Sequence, residues 1–298
     1  MATILPMGVR IRFFGTRGSR PVVSSDVAHF GGNTALVVIE AGGEPILLDL
    51  GTGLSGYARH LEGRGPLRAS ALLSHYHFDH VQGLPFFTEL DREGVRFTIH
   101  APRVSGDALA GLFRSPYFPV SPFAFRGKVE VVPRDEGHFF LERSGARCLA
   151  RIVAHTDVAF GFRIEVDGVV ITYIPDHQAP DDLVSFAPAA LELADGADVL
   201  IHDSQYDDVQ FAAKGDWGHS TYSYAADLAR EAGAKKLVLF HHDPARTDVE
   251  LFAIEAALRT RYAPKGLEIA AAREGACLLF GAPVRANVAD AGPQAAIA

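Results

Sequence analysis

Ser-His-Tyr-His-Phe-Asp-His, residues 74–80, follows an apolar run, SALLSH (70–75), that reads as a buried strand. It then enters a Gly/Pro-containing stretch, VQGLPFF (81–87). Side chains alternate along a strand, so His75 and His77 leave its end on the same side. Beyond them the chain turns, which lets Asp79 and His80 reach a neighbouring point. Imidazole nitrogen and carboxylate oxygen together suit Zn²⁺, Mn²⁺ or Fe²⁺. A lone His-X-His would carry far less, because polar surface supplies such pairs by chance.

Four side chains do not close two metal sites, so further donors are expected at other strand ends. His155 ends ARCLARIVAH (146–155), Asp176 follows VVITYIP (169–175), and His241 ends KKLVLF (235–240). Each is polar and sits at the C-terminal end of an apolar run, where the sites of α/β folds gather. Singly, each would be read as a structural residue; beside the 74–80 cluster, each becomes a candidate ligand. His242 adjoins His241, and strand alternation sends it to the other side, into the core or behind the ligands.

Working outward, strands are predicted near 8–15 and over 34–41, 44–50, 70–75, 95–100, 128–133, 146–155, 160–166 and 169–175. Gly42-Gly43 and Asp167-Gly168 read as hairpin turns. A helix fits 54–63. After residue 180 the pattern alternates: helices over 180–194, 205–213, 221–232 and 247–261, strands over 197–202, 235–240, 267–272 and 276–281. The order is a β-rich half followed by an α/β half, with no linker or repeat. It predicts one domain over 1–283, two sheets packed face to face with helices outside, and a frayed tail over 284–298. The Pro- and aromatic-rich stretch 115–125 reads as a loop that caps the core or overhangs a site.

The composition agrees. The chain has 298 residues, 48% of them hydrophobic, enough for a full core and against disorder. Asp+Glu outnumber Lys+Arg by 36 to 28, a formal net charge of −8, which argues against gripping long nucleic acid. Cys148 and Cys277 stand in no metal-type spacing and fit a reducing, cytoplasmic setting. No signal peptide and no run of about 18 apolar residues is evident, so no membrane span is expected.

The motifs FFGTRGS (13–19), GGNT (31–34), LLDLGTGL (47–54) and SHYHFDH, with the later His, Asp and His, follow one order across about residues 8–281. In this the chain resembles the metallo-β-lactamase-fold hydrolases. The resemblance implies an αββα four-layer sandwich with a two-metal site between the sheet edges. It assigns His75, His77 and His155 to one metal, Asp79, His80 and His241 to the other, and Asp176 to a bridge. The two divalent ions are taken as Zn²⁺, with Mn²⁺ or Fe²⁺ as alternatives. A water or hydroxide between them would be the nucleophile, and Asp79 would also help to orient it. The family often forms homodimers, though nothing in the sequence marks an interface.

ADVLIHDSQY (197–206) and GHST (218–221) resemble segments of the phosphodiesterase branch, which includes tRNase Z and small cyclic-phosphate phosphodiesterases. The implied pair is Asp203 holding His219, with His219 protonating the leaving oxygen. In tRNase Z the position of Asp203 is Glu. The tRNA-gripping arm of that family falls between the counterparts of His155 and Asp176, and a gap of 21 residues leaves no room for it. A small phosphodiester, such as a cyclic nucleotide or cyclic phosphate, is therefore the expected substrate. An ester, thioester or lactone hydrolase, a tRNA 3′-end nuclease and a non-catalytic metal-binding module are the alternatives. Arg17, Arg20 and His177 are candidate substrate contacts, and Asn33 and Asp49 are expected to pin backbone or orient ligand imidazoles.

Overall fold

The structure is a computed structural model and describes residues 8–104, 107–119 and 125–281. The chain first lays down β1 (Val9–Gly15), β2 (Leu36–Glu40), β3 (Ile46–Leu48), β4 (Arg68–Leu72), β5 (Arg96–Pro102) and β6 (Lys128–Arg134). It then builds β7 (Gly137–Leu141), β8 (Ala146–Val153), β9 (Ala159–Val166), β10 (Val169–Ile174), β11 (Val199–Asp203), β12 (Lys236–Phe240) and β13 (Glu268–Ala271). The last described strand, β14 (Cys277–Phe280), returns to pair with β1. Two seven-stranded sheets result, in the orders β14-β1-β2-β3-β4-β5-β6 and β13-β12-β11-β10-β9-β8-β7.

Period-2 alternation explains why the sheets stack. Val37 and Ile39 of β2 point into a core shared with the second sheet, while Leu36 and Val38 point outward. In the second sheet Ile171, Tyr173, Val199, Ile201, Val238 and Phe240 meet them from the other side. Leu200, Leu237 and Leu239 face away, towards a helical layer. Strands that are apolar on both faces must be covered on both faces. The outer layers are α1 (Leu54–His60) on the first sheet, and α4 (Pro188–Ala194), α6 (Tyr222–Glu231) and α7 (Asp248–Tyr262) on the second. This is the expected αββα sandwich.

Several elements depart from the sequence reading. The second sheet gains the edge strand β7, which pairs antiparallel with β8 although its two adjacent phenylalanines blur the alternation. The helix expected from 180 begins at Pro188, because Asp182 Oδ1 accepts the amides of Val184 and Ser185 and closes a separate turn first. Short helices also form at α2 (Phe78–Val81) and α3 (Ala108–Gly111); α5 spans Asp208–Lys214. Of the 115–125 loop, Phe118 and Phe125 pack on Phe113, while 120–124 and the 284–298 tail lie outside the described residues.

Candidate metal centre

Strand direction brings the donors together. Strands β10, β11 and β12 run parallel, and β8 shares their direction across the antiparallel β9. Their C-terminal ends therefore share one edge, where His155, Asp176, Asp203 and His241 follow or end a strand. From the other sheet, β4 delivers residues 74–80 to the same edge. There α2 turns Asp79 and His80 inward and leaves Phe78 outside.

The seven donors form two groups joined by one carboxylate. In the first, His75, His77, His155 and Asp176 offer atoms that all lie within 4.8 Å of one another. His155 Nε2 is 3.2 Å from His77 Nδ1, and both His75 Nε2 and His155 Nε2 are 3.6 Å from Asp176 Oδ2. In the second, Asp79, His80 and His241 converge, with His80 Nε2 3.3 Å from His241 Nε2 and 3.3 Å from Asp79 Oδ2. The other oxygen of Asp176, Oδ1, lies 3.1 Å from His80 Nε2 and 3.2 Å from His241 Nε2. One carboxylate thus turns one oxygen to each group.

For His75, His80 and His155 the far side of the ring fixes the tautomer. His80 Nδ1 donates to Asp49 Oδ2 at 2.7 Å, and His155 Nδ1 donates to the carbonyl of Gly218 at 2.7 Å. Ser74 Oγ donates to Asp49 Oδ2 at 2.9 Å and so accepts from His75 Nδ1 at 3.0 Å. In their neutral form, rings held this way aim lone pairs at the two groups, as a cation would require. The buried His75 Nε2 and Asp176 Oδ1 make no hydrogen bond. Such a gathering of buried electron-rich atoms is repulsive until a cation or protons fill it. The residues therefore fit divalent metals.

The electrostatics have the same cause. Burial, with His80 beside it, pushes His75 well below the ordinary imidazole range. Burial acts likewise on His80 and His241, but Asp176 and Asp79 outweigh it, raising His80 well above that range and His241 to about 9. Burial would raise the carboxyls of Asp79 and Asp176; the facing imidazoles outweigh it and lower both. Asp49 and His241 themselves sit in the left-handed region, at φ 61 and φ 58. Conformations of this kind persist where surrounding structure over-determines them.

Beside the metal groups, His219 Nδ1 lies 3.0 Å from Asp203 Oδ2. Asp203 is fully buried and also accepts the amides of His177, Gln205 and Ser220. Thr221 caps α6 through Tyr224 N, which anchors the Gly218–Thr221 turn. His219 lines the open cleft with Ser19, Tyr76, His77, Phe78, Asp79, Asp176 and His241.

The expected substrate contacts need correction. Arg17 is wholly buried: its guanidinium donates to the carbonyls of Gly31, Asp243 and Arg246, so it ties loops together and does not reach a substrate. His177 is also buried, its Nδ1 3.2 Å from His202 Nε2, and it does not line the cleft. Arg20 is exposed but outside the cleft lining; its neighbour Ser19 faces the site and donates its amide to Asp79 Oδ2 at 2.7 Å. His242 points away, Nε2 on the carbonyl of Ala272, and Asn33 binds Glu274. Sequence reading missed Ser74 and Tyr173, whose hydroxyl donates to Asp49 Oδ2 at 2.7 Å from the opposite sheet. Their only signal was position, next to His75 and three residues before Asp176.

The model of the Beta-lactamase superfamily domain matches residues 46–242. The chain belongs to this superfamily. It is a hydrolase of the metallo-β-lactamase fold. Among curated relatives, the Ribonuclease Z of Methanopyrus kandleri is 28% identical over 260 residues, covering 78% of this chain and 86% of the relative. That of Exiguobacterium sibiricum is 26% identical, covering 62% and 75%. Among solved structures, the metallo-beta-lactamase fold protein YhfI from Bacillus subtilis superposes with a TM-score of 0.65 at 18% identity, over 91% of this chain and 99% of that one. Human tRNase Z, short form, gives 0.61 at 21% identity, over 92% and 100%. The structural likenesses concern the fold. No helix among the described residues is long and apolar enough to cross a membrane.

Proposed function

We propose that this hydrolase cleaves phosphodiesters, with His219 as general acid, Asp203 as its partner, and two divalent cations, Zn²⁺ first, held by His75, His77, His155, Asp79, His80, His241 and the bridging Asp176. The observation that carries the reading is the 3.0 Å contact between His219 and the buried Asp203, beside two donor groups joined by Asp176. When bound, the cations lower the pKa of water and neutralise phosphate oxygens. The chain supplies the rest. Asp203 accepts from Nδ1 of His219 and stabilises the charged ring, which leaves Nε2 to give a proton to the departing oxygen. The three amides that hold Asp203 keep the pair in register.

A small substrate fits best. The described segment between His155 and Asp176 is filled by the β9–β10 hairpin, no Lys or Arg is among the described residues that line the cleft, and the net charge is −8. We take residues 1–283 as one catalytic domain. A second reading, tRNA 3′-end processing, draws on the relatives named Ribonuclease Z.

Metal analysis of the purified protein comes first, then assays with bis-p-nitrophenyl phosphate, cyclic nucleotides, carboxylic esters and precursor tRNA. His219→Ala is expected to keep its metals and lose about 10²–10⁴-fold in phosphodiester turnover. Undiminished turnover in that variant would remove the general acid from the scheme. An endonucleolytic cut in precursor tRNA would favour the second reading, and ester turnover alone would favour an ester hydrolase. A metal-loaded protein inert towards the whole panel would be a binding module.

A further inference from the structure

A second cleft adjoins the metal centre. Tyr76 and Phe78 line both. They are interleaved with the donors His75, His77 and Asp79, so any molecule seated on the metal groups borders them. Along the second cleft Phe78 is 73% exposed, Phe86 71% and Tyr117 90%. The ring of Phe86 is braced edge-on by Phe118, at 5.5 Å between centroids. Among the described residues that line this cleft, none is charged. Its polar groups are largely spoken for: Tyr76 donates its hydroxyl to the Pro102 carbonyl at 2.8 Å, and Gln82 reaches Thr34 Oγ1 at 3.3 Å.

Three large aromatic side chains left in water around one slot mark a binding surface. Continuity with the reaction centre names the occupant as the non-reacting part of the substrate. The chemistry follows from the walls. Exposed ring faces take flat partners by offset or edge-on packing. An aliphatic chain cannot return the face-to-edge contact that these rings offer. We infer that the Tyr76–Phe78–Phe86–Tyr117 cleft is a stacking shelf for a planar aromatic group, a nucleobase or an aryl alcohol, borne by the phosphodiester. With few free hydrogen-bonding groups, the shelf reads flatness and leaves the pattern of ring substituents unread. This inference rests on the phosphodiesterase reading.

The test uses metal-loaded enzyme and three diesters with one common, non-aromatic leaving group, released as hexafluoroisopropanol and followed by fluorine NMR: phenyl, octyl and methyl hexafluoroisopropyl phosphate. The expected order of kcat/KM is phenyl well above octyl and methyl. Phe86→Ala and Tyr117→Ala, each checked for metal content, should cut the phenyl-over-methyl preference by about 5- to 100-fold, mainly through KM. Calorimetric titration with benzyl(methyl)phosphinate, which has no ester bond to hydrolyse, should show the same loss of affinity in both variants. An octyl ester that gains as much as phenyl would overturn the aromatic assignment. An unchanged preference in both variants would overturn the shelf while leaving the reaction in place. Failure of the loaded wild type to turn over any of the three would overturn the phosphodiesterase reading and this inference with it.

Discussion

A methyl group added to Gly18 would sit 2.3 Å from His241 Nδ1, and one added to Gly218 would sit 2.4 Å from His155 Nδ1. Gly218 also has φ +86, which favours glycine. Gly18→Ala and Gly218→Ala should therefore displace one imidazole from each metal group, and equilibrium dialysis should show weaker metal binding in both. Asp49 gathers Ser74, His80 and Tyr173 on one carboxylate. Asp49→Asn should weaken metal binding by about 10- to 100-fold, a loss that competition with a chelator would measure. At this scale the donors were legible because each follows an apolar strand. The burial of Arg17 was not, because the carbonyls it holds at Asp243 and Arg246 come from more than 220 residues away. Nor did anything in a Gly-His-Ser-Thr string announce that its glycine makes room for His155.

Elements carry their own tests. His100 on β5 accepts from Arg134 on β6, Nδ1 lying 3.0 Å from Nε. Burial, then the Arg134 charge, holds its pKa down to about 4. The unfolded ring, near 6.5, takes up a proton that the folded one refuses. This contribution is present above pH 6.5 and is lost as pH falls towards 4. His100→Gln should flatten that part of the stability profile, as read from thermal melts between pH 7 and 4.5. Thr247 and Glu250 form a capping box at the start of α7. Thr247→Ala should cost about 1 kcal/mol in denaturant unfolding. Helix α7 was legible from its pattern over 247–261, and the structure adds the box that fixes its start. Strand β7 was not, since an edge strand needs only one good neighbour and shows a weak pattern of its own. The late start of α4 shows a local competitor winning: the Asp182 turn satisfies amides that a longer helix would have used.

For the whole molecule, order along the chain gave the layers: a β-rich half, then an α/β half, each apolar on both strand faces. The donors divide the same way. His75, His77, Asp79 and His80 hang from the first sheet, while His155, Asp176 and His241 hang from the second. Chelating the metals should therefore loosen contact between the sheets as well as empty the site. Thermal melts with and without EDTA should show a lower midpoint in chelator, restored by added Zn²⁺; binding at 100 times Kd is worth about 2.7 kcal/mol per site.

The double-faced Asp176 makes that division matter in time. Neither half of the polypeptide owns a complete centre, so a growing or refolding chain stays chemically silent until its two halves have closed on each other. First turnover during refolding would thus clock the docking event rather than the formation of either half.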